Sequence, residues 1–374
     1  MLDEAYSLFP GGQDGPRFGG AGIQLYSIAD ELSQHPGFEV AWLFFDTERY
    51  DISRLSHPRI KILTHRDPIQ KGLPLLSRVL NKRRQREPYQ DFLPDVVIST
   101  TGLWAARLAR EAEETGAKAI FRIASDSDIT NPLCPNETVA QQIKDTIAAF
   151  DQVVVSSNDQ KIELEKLRKK GILHIPKYPL VGKEKQASPE ADSVLWVASC
   201  QDLKQPWLYL VLAALFPDER FVMVMPPMNK ELSEYISMLA SELNNIELLN
   251  EQVTHDGVLA LFSEAKLFVN TSVIEGCPNT FHESCAAGVP ILSLWVNPDD
   301  MIHRYGLGAC ADGSLRKFMD DCAKLLSDRS ELAIKGRNAR KFFEQNFDRS
   351  EVMSQWVSVI RQVAGDVDVS PDQE

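Results

Sequence analysis

The sequence predicts an α/β protein built as two successive parallel-sheet domains, and three observations carry that expectation. Short apolar runs recur along the 374-residue chain, most of them followed by a helical pattern. The alternation stops at a polar, proline-containing stretch, Pro176 to Ser193, and restarts at Val194. The length suffices for two domains of ordinary size, and a composition 44% hydrophobic and 25% charged is that of a globular chain.

The elements follow in order. Met1 to Pro10 has only a weak apolar pattern, so a first strand is short or absent and the natural start is expected upstream. A glycine-rich run follows, Gly11 to Gly22, then an amphipathic helix from Ile23 to Ser33 with Ile23, Tyr26, Ala29 and Leu32 at helical spacing. Val40–Phe45 and Ile60–Leu63 read as buried strands. Residues 71–92 differ, with Arg78, Lys82, Arg83, Arg84 and Arg86 interleaved with Val79 and Leu80. Such a segment suits either a solvated charged helix or peripheral contact with an anionic membrane. Asp95–Thr100 is a strand, Trp104–Thr115 a helix, and Ala119–Ala124 a strand running into Ser125-Asp126-Ser127-Asp128. Gln152–Ser157 is a strand, with Ser157 and Gln160 forming a capping box for a helix from Asp159 to Lys170. Ile172–Ile175 closes the first domain. In the second, strands fall at Val194–Ala198, Phe221–Met225, Ile246–Leu249, Leu267–Asn270 and Ile291–Leu294. Helices fall at Pro206–Phe216, Lys230–Asn244, Thr254–Ala265, Phe281–Ala287 and Leu315–Leu326. A long helical tail covers 329–363, and the polar residues 365–374 are expected to be disordered.

Composition excludes several classes. A net charge of −13 argues against general nucleic-acid binding. Six cysteines without a CxxC pair suit a reducing cytoplasm. No apolar run has the length of a membrane span and no signal-peptide pattern opens the chain, so a cytoplasmic protein is expected, with peripheral contact at the inner membrane face through residues 71–92.

The most informative stretch is Phe268 to Pro290, FVNTSVIEGCPNTFHESCAAGVP. It reads as a buried strand, a turn holding Gly276 and Pro278, and a helix closed by Gly288 with Pro290 beyond. The unpartnered backbone N–H groups at a helix start, with the macrodipole, make an anion site fit for a diphosphate. Glu275 and Glu283 bracket the turn; an ordinary strand–loop–helix with water-facing glutamates is the alternative.

The spacing of Glu275 and Glu283, with EG-C-PNTF-HE followed by AAGVP, resembles the E-x7-E signature of retaining glycosyltransferases of family 4, which have the GT-B fold. The resemblance covers nearly the whole chain. It implies two Rossmann-like domains with parallel sheets facing across a cleft and a C-terminal helix crossing back. The corresponding domains are 1–182 for the acceptor, 190–347 for the nucleotide-sugar donor, and 348–374 for the crossing helix and tail. It implies a retaining transfer of a sugar from a UDP- or GDP-linked donor to a saccharide or lipid-linked acceptor in polysaccharide or glycolipid assembly, without metal or other cofactor. Glu275 would position the sugar, Glu283 the ribose, and Lys204 would neutralise the diphosphate. Gly276, Pro278, Asn279, Thr280 and Phe281 would form the donor turn, the amides of the last three facing the phosphates, with Gly19 and Gly20 approaching from the first domain. Where the family carries an arginine five residues before Lys204, this chain has Ser199, and the family's histidine near the Ala119–Ala124 strand end is absent. Both departures keep open an alternative, a protein that binds a nucleotide sugar or glycan without turnover. Asp126 and Asp128 are candidates for binding acceptor hydroxyls or acting as a base, or equally for capping a loop; as an Asp-x-Asp pair they also resemble the metal motif of GT-A glycosyltransferases.

Overall fold

A computed structural model describes residues 2–12, 19–46, 51–66, 88–89, 91–100, 105–130, 136–180, 187–188, 190–250 and 253–365. The chain divides into two compact units, Met1–Tyr178 with Arg349–Glu374, and Pro179–Asp348. The basic residues between 71 and 87, residues 181–186 of the expected linker, and the tail beyond 365 lie outside the described residues.

The first unit opens with a 3-10 helix, Leu2–Leu8, where the sequence pattern was too weak for a strand. Phe9 sits in an aromatic cluster with Tyr26, Trp42 and Phe44, at centroid distances of 5.0, 5.6 and 5.3 Å. Helix α1 (Gly20–Leu32) follows, then strands β1 (Val40–Asp46) and β2 (Ile60–Arg66), paired in parallel. Strands β3 (Val96–Thr100), β4 (Lys118–Arg122), β5 (Gln152–Val155) and β6 (Ile172–His174) form a second parallel sheet in that order. Between them lie α2 (Ala105–Thr115), α3 (Glu137–Ala148) and α4 (Asn158–Leu167). Sequence reading missed α3: it buries little besides Ile147, so its apolar stripe is thin, although Asn136 caps it through Thr138 N–H at 2.8 Å. At α4, Ser157 Oγ accepts from Gln160 N–H as expected, and the Gln160 side chain reaches back to Ser156 N–H at 2.9 Å rather than to Ser157.

The second unit carries six parallel strands: β7 (Ser193–Val197), β8 (Arg220–Val224), β9 (Ile246–Leu249), β10 (Ala265–Asn270), β11 (Ile291–Ser293) and β12 (Gly308–Cys310). Their spatial order is β12-β11-β10-β7-β8-β9. Starting at β7 the chain moves outward to β9, returns to place β10 beside β7, and moves out the other way. The helices are α5 (Pro206–Leu215), α6 (Lys230–Ser241), α7 (His255–Ser263), α8 (Asn279–Ala287), a short α9 (Met301–Arg304), α10 (Leu315–Ser327) and α11 (Arg329–Asn346). Successive strand residues point to opposite sheet faces. Val194, Trp196, Phe221, Met223, Leu267 and Val269 pack with α5, α6 and α10, whereas Leu195, Val222, Phe268 and Ile291 pack with α7, α8 and α11. The near-continuous apolar runs read from the sequence are therefore strands covered on both faces.

The tail expected as one helix over 329–363 is two, α11 and α12 (Arg349–Ala364). The break is at Phe347, which leaves helical geometry at φ −127°, ψ 82° and packs its ring on Phe343 and His282. Helix α12 belongs to the first unit, with Arg349 over the ring of Tyr178. Tyr178 is tied to α1 in turn: buried Gln24 donates to its carbonyl at 2.8 Å and accepts from its N–H at 3.1 Å.

Candidate functional site

In an open parallel sheet the crevice for a ligand lies outside the carboxyl ends of the strands, where the strand order reverses. Here that point is between β7 and β10. The two loops leaving these strands carry Lys204 and Glu275 respectively, and the structure joins them as an ion pair although 71 residues separate them in the chain.

The loops are fastened together beneath that pair. Lys204 ends a single 3-10 turn, Asp202–Lys204, after which Gln205 takes a left-handed conformation, φ 47°, and Pro206 starts α5. From the β10 side, Thr271 Oγ1 donates to the Lys204 carbonyl at 2.6 Å and Val273 N–H donates to the Leu203 carbonyl at 2.9 Å. The buried indole of Trp196 donates to Thr271 Oγ1 at 2.9 Å. Ser272 Oγ donates to Glu275 Oε1 at 2.9 Å, which orients the carboxylate toward the lysine. Trp196, Thr271 and Ser272 were missed as site residues because they read as strand interior and strand end; nothing local marks them.

Helix α8 begins just after Glu275. Pro278 stands at its N-cap without a side-chain cap, so the first amides have no partner from that source. Of the three expected donors, the Phe281 N–H already donates to the Pro278 carbonyl at 3.2 Å, and the Phe281 ring is fully buried against Phe268. Asn279 and Thr280 are half-buried, and Gly276 and Pro278 are buried in the turn. The helix ends on Gly288 at φ +72°, with Val289 N–H returning to the Ser284 carbonyl at 2.8 Å, a Schellman-type stop that favours glycine.

Glu283 is not water-facing. It is 5% exposed and its Oε1 lies 2.9 Å from His255 Nε2 on α7. Burial alone would lower the imidazole pKa, but the hydrogen bond and charge of Glu283, with Asp256 adding to them, leave it above the ordinary value. His282, its neighbour, is also buried, with Nε2 3.2 Å from Cys277 Sγ.

Ser199 lies in the β7 loop and accepts from the Gln201 amide at 2.7 Å. Gly19 and Gly20 stand at the start of α1 in the first unit, Gly19 as N-cap with ordinary φ of −86°. Asp126 and Asp128 are also in the first unit, in the turn that follows β4. Asp128 Oδ2 accepts from Ala124 and Ser125 N–H at 2.9 and 3.0 Å, closing a capping box, and burial raises its pKa above the ordinary carboxylate value. Asp126 Oδ1 accepts from Gln160 Nε2 at 2.9 Å. These bonds hold the loop after β4, the loop-capping alternative that the sequence also allows. Among the described residues no group of three or more His, Cys, Asp or Glu side chains could hold a metal, and no helix is long and apolar enough to cross a membrane.

Residues 193–328 match the family model of Glycosyl transferases group 1, a span within the second unit. No curated protein sequence matches the chain. Among solved structures, sucrose-phosphate synthase from Thermosynechococcus elongatus is similar with a TM-score of 0.75 at 16% identity, covering 94% of this chain and 95% of that one. Anabaena HepE, solved in complex with UDP and glucose, gives a TM-score of 0.71 at 14% identity, covering 91% and 96%. TarM gives 0.58 at 14% identity over 71% of this chain, which spans only 54% of TarM's length.

The chain has the GT-B fold.

Within that fold, Lys204, Glu275, Glu283 and the start of α8 all lie at the strand-order reversal of the second unit.

Proposed function

We propose that the chain transfers a glycosyl group from a nucleoside-diphosphate sugar, UDP- or GDP-linked, to a saccharide or lipid-linked saccharide, with retention at the anomeric carbon. One observation carries the reading: Lys204 and Glu275 are brought together from separate loops at the sheet's topological switch point, beside a helix start with no side-chain cap. The match of this unit to a glycosyltransferase family model supports it.

In this reading the leaving diphosphate settles against the α8 start and Lys204, where fixed donors meet the charge that grows as the glycosidic bond breaks. Glu275 then exchanges part of its lysine contact for hydroxyls of the donor sugar. Glu283, held by His255, accepts from the ribose hydroxyls through its remaining lone pairs. Protein charges do the work that a metal does elsewhere, and no metal is required. The test is release of nucleoside diphosphate from a panel of nucleotide sugars, with and without oligosaccharide acceptors, and the anomeric configuration of the product read by NMR. Release with inversion would overturn the stereochemical part.

A second reading rests on Ser199. Sugar binding without turnover needs less charge stabilisation, and the loop from 199 to 205 carries one cation, Lys204, already paired with Glu275. Thermal stabilisation by a nucleotide sugar without diphosphate release would select it.

A further inference from the structure

At the opposite end of the second unit lies a recess of about 540 Å³, within the range of small-molecule sites. Ala265 and Lys266, which open β10, line it, whereas Glu275 lies past the other end of that strand, about 17 Å along it. Gly288 forms part of the wall, and it terminates the helix whose start faces the candidate donor site. The recess is therefore separate from that site.

Its floor is made by absent side chains. Gly288 and Gly336 bring α8 and α11 into backbone contact, so that a Cβ on Gly336 would lie 2.4 Å from the Gly288 carbonyl oxygen. Alanines line much of the rest. The rim is basic: Lys266, Arg329, Arg337, Arg340 and Lys341, with Glu344 the one acid. Two of the five are neutralised, Lys266 by Glu219 and Arg340 by Glu344. Among the described residues, no ion pair engages Arg329, Arg337 or Lys341. Their spacing of eight and four residues places them along one face of α11.

Like charges at i, i+4, as at Arg337 and Lys341, destabilise a helix. A chain of net charge −13 has ample acid to offset them, yet leaves three cations around a hollow with a small-residue floor. We propose that this recess binds a phosphate-bearing anion, the two arginines offering planar, two-pronged donors and Lys341 a point charge. The anion is either a soluble phosphate ester or the headgroup of an anionic lipid.

The experiment uses the full chain and hydrogen–deuterium exchange. Inorganic pyrophosphate is one probe; vesicles of phosphatidylcholine with or without phosphatidylglycerol are the other. Exchange at 329–341 reports the recess, and exchange at 275–284 reports the candidate donor site separately. Slowed exchange at 329–341 with pyrophosphate, weakened roughly tenfold or more in R329A/R337A/K341A and retained in R337K/K341R, supports a soluble ligand. Slowed exchange only with phosphatidylglycerol vesicles, lost in the triple variant, assigns the headgroup. Protection by neither probe, or protection that survives in a triple variant with wild-type melting temperature, overturns the proposal.

Discussion

Replacing Lys204 by alanine separates the proposed chemistry from the fold. The side chains of Lys204 and Glu275 are 14% and 21% exposed, so the pair is shielded but not dry. An attraction of roughly 4 kcal/mol applies to unit charges 4 Å apart at an effective dielectric constant of 20, and desolvation cancels much of it. Glu275 keeps its bond from Ser272, and the loop keeps Thr271 and Val273 bonded to backbone carbonyls that the substitution does not touch. The expected loss of stability is therefore about 1–2 kcal/mol. Removing a donor from a charge that grows in the transition state costs more, about 2.7–4 kcal/mol, or 10²- to 10³-fold in turnover. The assay is diphosphate release at saturating nucleotide sugar, well below the variant's melting temperature, with Glu275→Gln in parallel. Glu275→Gln frees the lysine; it should also impair turnover if Glu275 holds the sugar, and should leave it nearly intact if Glu275 only tethers Lys204. Turnover of Lys204→Ala within about threefold of the parent would remove Lys204 from the mechanism, whatever its effect on melting.

Thr271→Val leaves the Trp196 indole N–H buried without its acceptor and frees the Lys204 carbonyl; a loss of about 1–3 kcal/mol by urea titration is expected, with reduced turnover because one of the bonds that hold the Lys204 turn is gone. The His255–Glu283 pair gives a pH dependence of known sign. With the imidazole pKa raised on folding, its stabilisation is fully present below the ordinary value near 6.5 and is lost as pH rises through the folded value. The melting-temperature gap between the parent and His255→Gln should therefore narrow from pH 5.5 to pH 8.5, and a gap that widens would refute the assignment. Gly336→Ala should lower stability by about 1–3 kcal/mol despite alanine's better helix propensity, because its Cβ meets a backbone carbonyl at 2.4 Å that only movement of α8 can relieve. EDTA should leave diphosphate release unchanged, whereas abolition restored by a divalent ion would require a metal in the mechanism.

The two-unit α/β architecture was legible because strands buried on both faces leave unbroken apolar runs, and every strand of the second unit's centre has one. What escaped is what the runs do not encode. Helix α3 shows too little apolar face, and β12, Gly308-Ala309-Cys310, carries no large apolar or β-branched side chain to mark it. The two glutamates could be picked out because turn chemistry surrounds them with Gly276, Pro278 and Gly288 in a short span. Their partners could not be. His255 precedes Glu283 by 28 residues and Lys204 precedes Glu275 by 71, and such pairings exist only once the sheet has set its strand order. At the acidic pair, 126 and 128, the spacing admits both a ligand motif and a local cap, and the structure shows Asp128 in a cap, since short acidic side chains near a strand end compete for backbone amides.

Charge accounting at the switch point sharpens the choice between transfer and mere binding. A nucleoside diphosphate brings roughly two to three negative charges, and the loop after β7 supplies one cation that Glu275 already engages. The start of α8 contributes about half a positive charge. In the proposed reading a donor phosphate competes with Glu275 for Lys204, and binding by this route is weak unless the sugar hydroxyls take over the carboxylate. That coupling is favourable for a transferase: the free nucleoside diphosphate, having no sugar to occupy Glu275, leaves the lysine drawn back to its carboxylate partner and is released more readily. It follows that Glu275→Gln should tighten the binding of nucleoside diphosphate relative to the sugar-bearing donor, measured by calorimetry. Equal changes in both affinities would show that Glu275 and the sugar do not share a site, and the proposed geometry of the donor would fall with them.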